Sequence, residues 1–371
     1  MKLSCLQENL SGGVSVVSRS VATKGSLPVL SNILLQTEAG RLKLSATNLE
    51  TGIVTWVGAK IEKEGALTIP ARILSDLISS LGPGKLDLQT EGQVLTIEAK
   101  GAHSKINGMA AEEFPTLPAV GDEPLLTIDP KVFSEAVGQV AFAAAADDSR
   151  PILTGILIKS QGTTLTLVAV DGFRLSERKI TLATQPKKEI SLVIPARTLG
   201  EVARLVAGDS EPLHLYIAEA ENQIIFKTPA FEISSRLLEG DFPDYEKIIP
   251  KSFGSSAAME TADLMKAVRL AAIFAKDSAN IVKLKFLPEA GKIVLSANTA
   301  EVGENETELE SKVEGEAGEI AFNAKYLVDC LSNLDAGKIT IHFGGPLSPG
   351  LVRMDGREDF LHLVMPVRTQ S

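Results

Sequence analysis

The sequence lacks the residue patterns that most catalytic and metal sites need. Its four histidines, at positions 103, 214, 342 and 362, lie far apart with no HxH or HxxxH spacing, and no Cys/His cluster suits zinc. No G-x-S-x-G motif occurs. Each Gly-Lys pair also lacks the upstream glycine and the following Ser or Thr of a phosphate-binding loop. These absences predict a protein that is not an enzyme and that carries no metal or cofactor.

Long apolar runs and cysteines are scarce as well. No stretch approaches the length of a membrane-spanning helix, and residues 1–5 lack the apolar core of a secretion signal. Cys5 and Cys330 occupy non-equivalent places and indicate a reducing compartment without disulfides. With 44% hydrophobic and 23% charged residues, the composition is that of an ordinary globular protein. We therefore expect a soluble, cytoplasmic chain.

A threefold repeat organises these 371 residues. Similar segments recur at offsets of about 123 to 128 residues, a spacing typical of whole domains and far too long for a solenoid. The recurring segments are Leu44–Asn48, Leu167–Asp171 and Leu295–Thr299; then Ile69–Arg72, Ile194–Arg197 and Phe322–Lys325; and finally Phe114–Pro118, Phe242–Tyr245 and Met365–Pro366. The repeat predicts three similar domains at residues 1–121, 122–250 and 251–371.

Each repeat alternates helical and strand-like hydrophobic periods. The helical period predicts helices over residues 8–22, 70–81, 130–144, 196–207, 262–276 and 324–334. In the first repeat, strands are expected at 32–37, 41–48, 86–90 and 94–99, the last two finishing the unit. This order predicts an α+β fold in which two helices back a sheet in every domain.

Positive charge is in overall deficit, because the net charge is −10. The six helical segments, with Lys24 just beyond the first, nevertheless hold ten basic and six acidic side chains, a net +4 that leaves −14 elsewhere. This asymmetry predicts a basic helical face that attracts a phosphate backbone without reading bases. The general preference of helices for Lys and Arg is an alternative explanation.

Five motifs in order carry a family resemblance. They are Leu27–Asn32 (LPVLSN), Ile69–Arg72 (IPAR), Asp171–Leu175 (DGFRL), Gly240–Tyr245 (GDFPDY) and Val364–Arg368 (VMPVR). Together they resemble the bacterial sliding clamp, the β subunit of the replicative DNA polymerase holoenzyme, over essentially the whole chain. The resemblance implies clamp domains with antiparallel sheet and a homodimeric ring of six domains.

The same resemblance implies function and partners. The ring would encircle double-stranded DNA without sequence preference, act as a processivity factor and be opened by a separate ATP-dependent clamp loader. It would tether the replicative DNA polymerase catalytic subunit, and other polymerases and repair proteins that carry short clamp-binding peptides. The resemblance also implies that the protein is cytoplasmic and associated with the nucleoid. No cofactor is implied for this chain.

Simple geometry agrees with two chains per ring. A domain of this size has a diameter of about 36 Å, so three touching spheres leave a hole of about 6 Å and six leave about 36 Å. B-DNA is about 20 Å across. One chain therefore cannot close around a duplex, whereas two can, and we expect head-to-tail closure between the first and third domains.

The resemblance also implies three sets of site residues. A hydrophobic groove for partner peptides would be formed by Leu153, Val170, Gly172, Phe173, Arg174, Leu175, Pro243, Lys247, Ile248, Val364, Met365, Pro366, Val367 and Arg368. Candidate DNA-facing residues are Arg19, Lys24, Arg72, Arg197, Lys266, Arg269 and Lys325. The dimer interface would include Ser104, Ile106, Ile273 and Phe274. Core packing is the alternative for Leu153, Val170, Leu175 and Ile248, and ordinary surface charge for the cations.

The chain departs from the family pattern at three places. Phe173 stands where relatives often carry His, and Lys247 where Arg is usual. Thr369–Ser371 extends past the final motif. Ser104 is less apolar than expected for an interface, so we expect the dimer to depend more on Ile273, Phe274 and charge pairs, with measurable monomer at nanomolar concentration.

Two other classes of function fit the residues less well. One is an enzyme with an unrecognised site on triplicated α+β domains, which the scattered histidines disfavour. The other is a repeat-built scaffold for proteins alone, which predicts helical charge spread over all faces. A common concave wall of Arg19, Arg72, Arg197, Lys266 and Lys325 would favour DNA instead.

Overall fold

The structure, a computed structural model, describes residues 1–22, 27–218, 222–276, 279–299 and 303–368. Lys24 and Thr369–Ser371, both singled out by the sequence, lie outside the described residues. Within the described ranges the chain forms six α-helices and 25 strands. None of the helices described there combines the length and the apolar character needed to cross a membrane.

The six predicted helices are confirmed, with shifted ends. They are α1 (Gln7–Val17), α2 (Ala71–Ser80), α3 (Pro130–Ala141), α4 (Ala196–Val206), α5 (Thr261–Ala275) and α6 (Ala324–Ser332). The first is shorter than predicted because a 3-10 turn over Ser18–Ser20 follows it. There the Ser18 hydroxyl donates to the Val14 carbonyl at 2.6 Å, a local bond that competes with helix continuation.

The strands, numbered in chain order, are all paired antiparallel. They are β1 (Lys2–Leu6), β2 (Asn32–Glu38), β3 (Arg41–Thr47), β4 (Thr51–Lys63), β5 (Ala66–Pro70), β6 (Lys85–Glu91), β7 (Val94–Ala99), β8 (Ala102–Asn107), β9 (Leu126–Ile128), β10 (Gly155–Gln161), β11 (Thr164–Val170), β12 (Arg174–Thr181), β13 (Ser191–Pro195), β14 (Leu213–Ala218), β15 (Gln223–Lys227), β16 (Phe231–Arg236), β17 (Ser255–Glu260), β18 (Ile281–Leu287), β19 (Lys292–Thr299), β20 (Gly303–Glu310), β21 (Lys312–Gly315), β22 (Gly318–Asn323), β23 (Lys338–Phe343), β24 (Gly350–Met354) and β25 (Phe360–Val364).

The first repeat contains more strands than the sequence predicted. Strand β8 follows the predicted last pair, and β4 and β5 lie between the predicted β3 and α2. An alternation of apolar and polar residues does not reveal strand β4, because four consecutive residues from Gly52 to Thr55 are buried. The strand pairs with neighbours on both edges, and its two faces are both covered in this stretch.

The chain divides into two compact units. The first comprises residues 1–129 and 209–237, and the second comprises 130–208 and 238–371. The first unit holds a 12-stranded sheet along the order β8-β7-β6-β1-β4-β16-β15-β14-β9, with β3, β2 and β5 branching from β4. Helices α1 and α2 pack together there. The second unit has a nine-stranded sheet, β13-β10-β11-β12-β25-β24-β23-β17-β21, and a four-stranded sheet, β20-β19-β18-β22.

Strand pairing crosses the sequence repeats inside each unit. In the first unit β16, from the second repeat, pairs with β4. In the second unit β25, from the third repeat, pairs with β12. Helix pairs α3–α4 and α5–α6 pack in the second unit, so the predicted arrangement of two helices backing sheet recurs. The domain limits near residues 121 and 250 stay a prediction.

Candidate functional site

Some of the predicted groove residues come from distant parts of the sequence and meet in the second unit, whereas Val367 bonds the Ala321 carbonyl at 2.8 Å. Arg174 of β12 lies opposite Val364 of β25, and Leu175 lies opposite Leu363. The Met365 N–H donates to the Phe173 carbonyl at 2.8 Å, so the ladder continues past the end of β25. The C-terminal segment is thereby fixed beside the turn that precedes β12.

The floor of this region is a buried apolar layer. Leu153, Val170 and Leu175 are each at most 4% exposed and pack in one cluster with Tyr245 and Leu363. Core packing is therefore a full account of these three side chains, and they support the surface rather than form it. Val364 is buried as well.

The surface itself is formed by side chains that face solvent above this layer. Phe173 is 59% and Ile248 43% exposed. Met365 is half-buried against the same apolar cluster. Exposed apolar residues collected around a buried floor are typical of a docking surface.

Gly172 is required by the turn between β11 and β12. Its φ is +93°, and a Cβ built there would lie 2.9 Å from Nη2 of Arg150. That guanidinium in turn donates to the Asp171 carbonyl at 2.9 Å. The Asp171 carboxylate accepts the Phe173 N–H at 2.8 Å and the Arg174 N–H at 3.0 Å. A side chain at position 172 would be strained and would displace Arg150.

Arg174 of the predicted groove is buried and paired. It is 9% exposed, and its Nε donates to Asp171 Oδ2 at 3.0 Å while Nη1 donates to Asp329 Oδ2 at 2.6 Å. Its guanidinium carbon lies 4.6 Å from the ring centroid of Tyr326 and 5.7 Å from that of Phe142. Arg368, by contrast, is exposed. Of the two predicted arginines, Arg174 is therefore buried and paired, and Arg368 lines a cavity with Glu319, Leu347 and Val367.

An aromatic pair completes this side of the groove. The rings of Phe173 and Tyr326 stack with centroids 6.4 Å apart and planes inclined by 22°. Partial burial and the nearby Asp171 carboxylate raise the pKa of the Tyr326 phenol, so the ring is neutral near pH 7. Sequence reasoning did not assign Tyr326, Asp329 or Arg150, because nothing in their spacing places them beside residue 173.

Pro243, Lys247 and Ile248 of the predicted groove lie on one segment, which packs through Tyr245 against the cluster of Leu175. Burial and a hydrogen bond donated to the Glu177 carboxylate strongly raise the pKa of the Tyr245 phenol. This bond anchors the segment to β12. Pro243 and Ile248 remain exposed on either side of Tyr245, and the Lys247 ammonium lies 2.7 Å from Asp244 Oδ2.

A buried histidine lies in the strand that carries the C-terminal part of the groove. His362 of β25 is fully buried, and its Nδ1 lies 2.7 Å from the Ser176 hydroxyl. Desolvation, with a smaller contribution from Arg174, lowers the pKa of His362 to about 3. The ring is therefore neutral at physiological pH, and its role here is packing between β12 and β25.

The first unit contains the sequence counterpart of this turn with different side chains. Asn48 Oδ1 accepts the N–H groups of Glu50 and Thr51 at 3.0 and 2.7 Å, as Asp171 does in the second unit. Gly52 replaces Leu175, however, and a Cβ there would lie 2.7 Å from Leu117 Cδ2. Leu117 thus packs against the position that Leu175 holds in the second unit.

The predicted DNA-facing cations that the structure describes are all exposed. Arg72, Arg197 and Lys325 occupy the same place, the second residue of α2, α4 and α6. Lys266 and Arg269 lie one turn apart on α5. Arg19 is exposed in the 3-10 turn after α1.

The predicted interface residues lie near two open sheet edges. In the described residues, β8 ends the 12-stranded sheet and β20 ends the four-stranded sheet. Ile106 of β8 is buried and Ser104 half-buried, whereas His103 and Lys105 face outward. Ile273, near the end of α5, is 63% exposed, and the neighbouring Phe274 is half-buried.

Comparison with known proteins identifies the family. Residues 1–118, 127–244 and 246–368 match models described as the N-terminal, central and C-terminal domains of the DNA polymerase III beta subunit. The chain is 32% identical over 377 residues to the "Beta sliding clamp" of Synechococcus elongatus, with 100% of both sequences covered. The chain belongs to the bacterial β sliding clamp family. It is also 33% identical over 378 residues to the Streptomyces coelicolor clamp, covering 99% of each.

Solved clamp structures agree with the fold. The Bacillus subtilis DNA polymerase sliding clamp matches with a TM-score of 0.95 at 27% identity, and all of both chains is covered. A Pseudomonas aeruginosa clamp solved with griselimycin bound matches with a TM-score of 0.93 at 28% identity, again over all of both chains. The predicted α+β fold of three similar clamp domains is therefore confirmed.

Membership of the sliding clamp family settles the class of function. The chain is a DNA sliding clamp, a processivity factor of DNA replication. Clamps of this family are non-catalytic, and their arrangement is a dimeric ring. The two alternative classes, an enzyme and a scaffold for proteins alone, lose their support.

Proposed function

We propose that two copies of this chain close head to tail around double-stranded DNA and tether the catalytic subunit of the replicative polymerase. The observation that carries the tethering role is the pair of exposed apolar side chains, Phe173 and Ile248, together with the half-buried Met365 on a buried apolar cluster. A flexible Met beside aliphatic and aromatic side chains adapts to Leu or Phe anchors of a linear peptide. Other polymerases and repair proteins with such peptides would compete for the same groove.

DNA contact in this proposal is electrostatic. Arg72, Arg197 and Lys325 recur at one helical position, and their exposed charges can attract phosphates without reading base edges. Weak, sequence-independent contacts let a ring slide, and a closed ring leaves only over a DNA end or through an opened interface. The chain itself has no catalytic role and needs no cofactor. ATP is used by a separate clamp loader.

The subunit boundary in this proposal joins β8 of one chain to β20 of its partner. The helix-facing sides of these edges are Ser104 and Ile106 on β8 and the half-buried alternate residues of β20. The outward sides are basic on β8, with Lys105 and His103, and acidic on β20. The exposed acids of β20 are Glu304, Glu306, Glu308 and Glu310. The opposite charges on β8 and β20 favour the pairing of these two edge strands. Ile273 and Phe274 would be covered beside this strand pair.

Domain limits near residues 121 and 250 and a nucleoid-associated location in the cytoplasm belong to the same proposal. They are supported by the internal repeat and by the role in replication. Limited proteolysis would test the limits, since cleavage is expected first in the segments between repeats.

Retention on DNA tests the topological claim. The protein is loaded on nicked circular DNA with the clamp loader and ATP, and retention is measured before and after one double-strand cut. Rapid loss on linearisation is expected, because a ring slides off an end. Equal retention on circular and linear DNA would show ordinary surface binding and would overturn the proposed mechanism. An Ile273→Glu variant, designed to open the interface, should be lost from both forms.

A further inference from the structure

Helix α6 is tied to the groove by an ion pair that neither the sequence motifs nor the groove prediction includes. Asp329 accepts the Nη1 donor of Arg174 at 2.6 Å, across the boundary between α6 and β12. The Arg174 side chain is 9% exposed and that of Asp329 28% exposed. A charge-assisted bond this short and this shielded holds the guanidinium in one orientation.

The guanidinium in turn fixes the exposed aromatic side of the groove. Tyr326, one turn before Asp329, lies 4.6 Å from the guanidinium carbon and stacks on Phe173. Asp171 bonds both the Arg174 Nε and the Phe173 N–H. Phe173 is therefore held at its backbone and at its ring by groups that converge on Arg174.

We propose that Asp329 is a positioning residue that, through Arg174 and Tyr326, holds Phe173 as an aromatic wall and gives the groove a preference for an aromatic peptide anchor. This role rests on the proposed groove. An aromatic anchor gains edge-to-face or offset contacts on such a wall that an aliphatic anchor does not. Without the Asp329 carboxylate, Arg174 keeps only one of its two acidic partners in a shielded place, and its orientation between the rings is no longer fixed.

The first repeat supplies a matched control. Asp76 occupies the equivalent position on α2, five residues after Ala71 as Asp329 is after Ala324. Its side chain is 75% exposed and lies 3.9 Å from that of Arg72, which is itself 93% exposed. Removing the charge at Asp76 therefore changes the same helix position without disturbing a buried cation.

Two labelled hexapeptides, Gly-Ser-Leu-Ser-Leu-Phe and Gly-Ser-Leu-Ser-Leu-Leu, provide the test by fluorescence anisotropy on the intact dimer. Wild type should prefer the Phe peptide. Asp329→Asn should weaken the Phe peptide on the order of tenfold and the Leu peptide much less, so that the affinity ratio falls. Asp76→Asn should leave both affinities unchanged. In a Phe173→Leu background, Asp329→Asn should no longer change the ratio, because the wall it positions is gone.

The outcomes separate this role from the groove and from general destabilisation. An unchanged ratio in folded Asp329→Asn would overturn the positioning role while leaving the groove intact. Wild-type protein that binds neither peptide would overturn both. If Asp329→Asn does not fold by circular dichroism, Tyr326→Leu takes its place: a lowered ratio would support the proposal and an unchanged ratio would overturn it.

Discussion

Acid should weaken the junction between β12 and β25 through one buried histidine. His362 has a folded-state pKa of about 3, well below its usual value of 6.5, because burial disfavours the charged ring. Between these two pH values the unfolded chain binds a proton that the folded chain does not, so stability falls as pH falls. The linkage relation gives a decrease in the free energy of unfolding of about 2 kcal/mol from this group at pH 5, and almost no decrease at pH 8.

Hydrogen exchange of the β25 amides, followed by mass spectrometry at about pH 8 and pH 5, measures the local opening free energy. His362→Asn keeps a polar atom for the Ser176 hydroxyl, and its cavity cost does not depend on pH. The opening free energy of the wild type should fall by about 2 kcal/mol more than that of this variant between the two pH values. His103→Asn, at an exposed histidine, should behave as the wild type does.

Two results would refute this reasoning. Equal pH dependence in the wild type and His362→Asn would show that the ring contributes no linkage. Titration of the His362 ring near pH 6 by NMR would show that burial does not lower its pKa. Either result would also remove the argument that acid loosens the strand carrying Val364 and the segment that begins at Met365.

Four further outcomes are expected. Gly172→Ala should lower Tm and peptide affinity because a Cβ meets Arg150 at positive φ, whereas Gly12→Ala, with open space on α1, should stabilise by up to about 1 kcal/mol in thermal melts. Sedimentation velocity at nanomolar concentration should detect some wild-type monomer, and Ile273→Glu should be mainly monomeric. Binding to short duplex DNA should depend less on salt when Arg72, Arg197 and Lys325 are replaced by Ser. The negative slope of log K, the association constant, against log salt should become shallower by about 0.9 for each phosphate that the variant no longer neutralises. Calorimetry should give one peptide per chain, and a second site of similar affinity would contradict a single groove at Phe173.

Sequence periodicity predicts the helices well because each has one strongly apolar face. In α2, Ala71, Leu74 and Ile78 are buried at helical spacing. Helix ends are less predictable, since they depend on local bonds such as that from Asn333 Nδ2 to the Asp329 carbonyl at 2.8 Å, which closes α6 early. Strand β4 could not be predicted from alternating apolar and polar residues, because its residues are buried on both faces and do not alternate.

The groove could be predicted from sequence only in part. The motifs around Phe173 and Met365 point to it through family resemblance, and strand pairing brings them together. Tyr326 and Asp329 could not be found this way, because they reach the groove from a helix about 150 residues along the chain through contacts specified only by packing. For Leu153 and Leu175 the family resemblance points to the groove, but the structure shows both side chains buried. A motif therefore does not distinguish a residue that contacts a ligand from one that packs beneath the surface.

The junctions between β4 and β16 and between β12 and β25 share a backbone arrangement and differ in their side chains. Both use an Asn or Asp to cap the turn. In both, the incoming segment also donates a backbone bond to the turn, from Arg236 N–H to the Glu50 carbonyl or from Met365 N–H to the Phe173 carbonyl, each at 2.8 Å. The backbone design is thus shared, and the side chains decide the outcome. Gly52 admits Leu117 from the connecting segment of the first repeat, and Tyr245, the counterpart of Leu117, packs with Leu175 at the second junction. The difference between the two junctions thus lies in the apolar side chains that stay exposed beside the second one, Phe173 and Ile248, and these carry the proposal of a single groove.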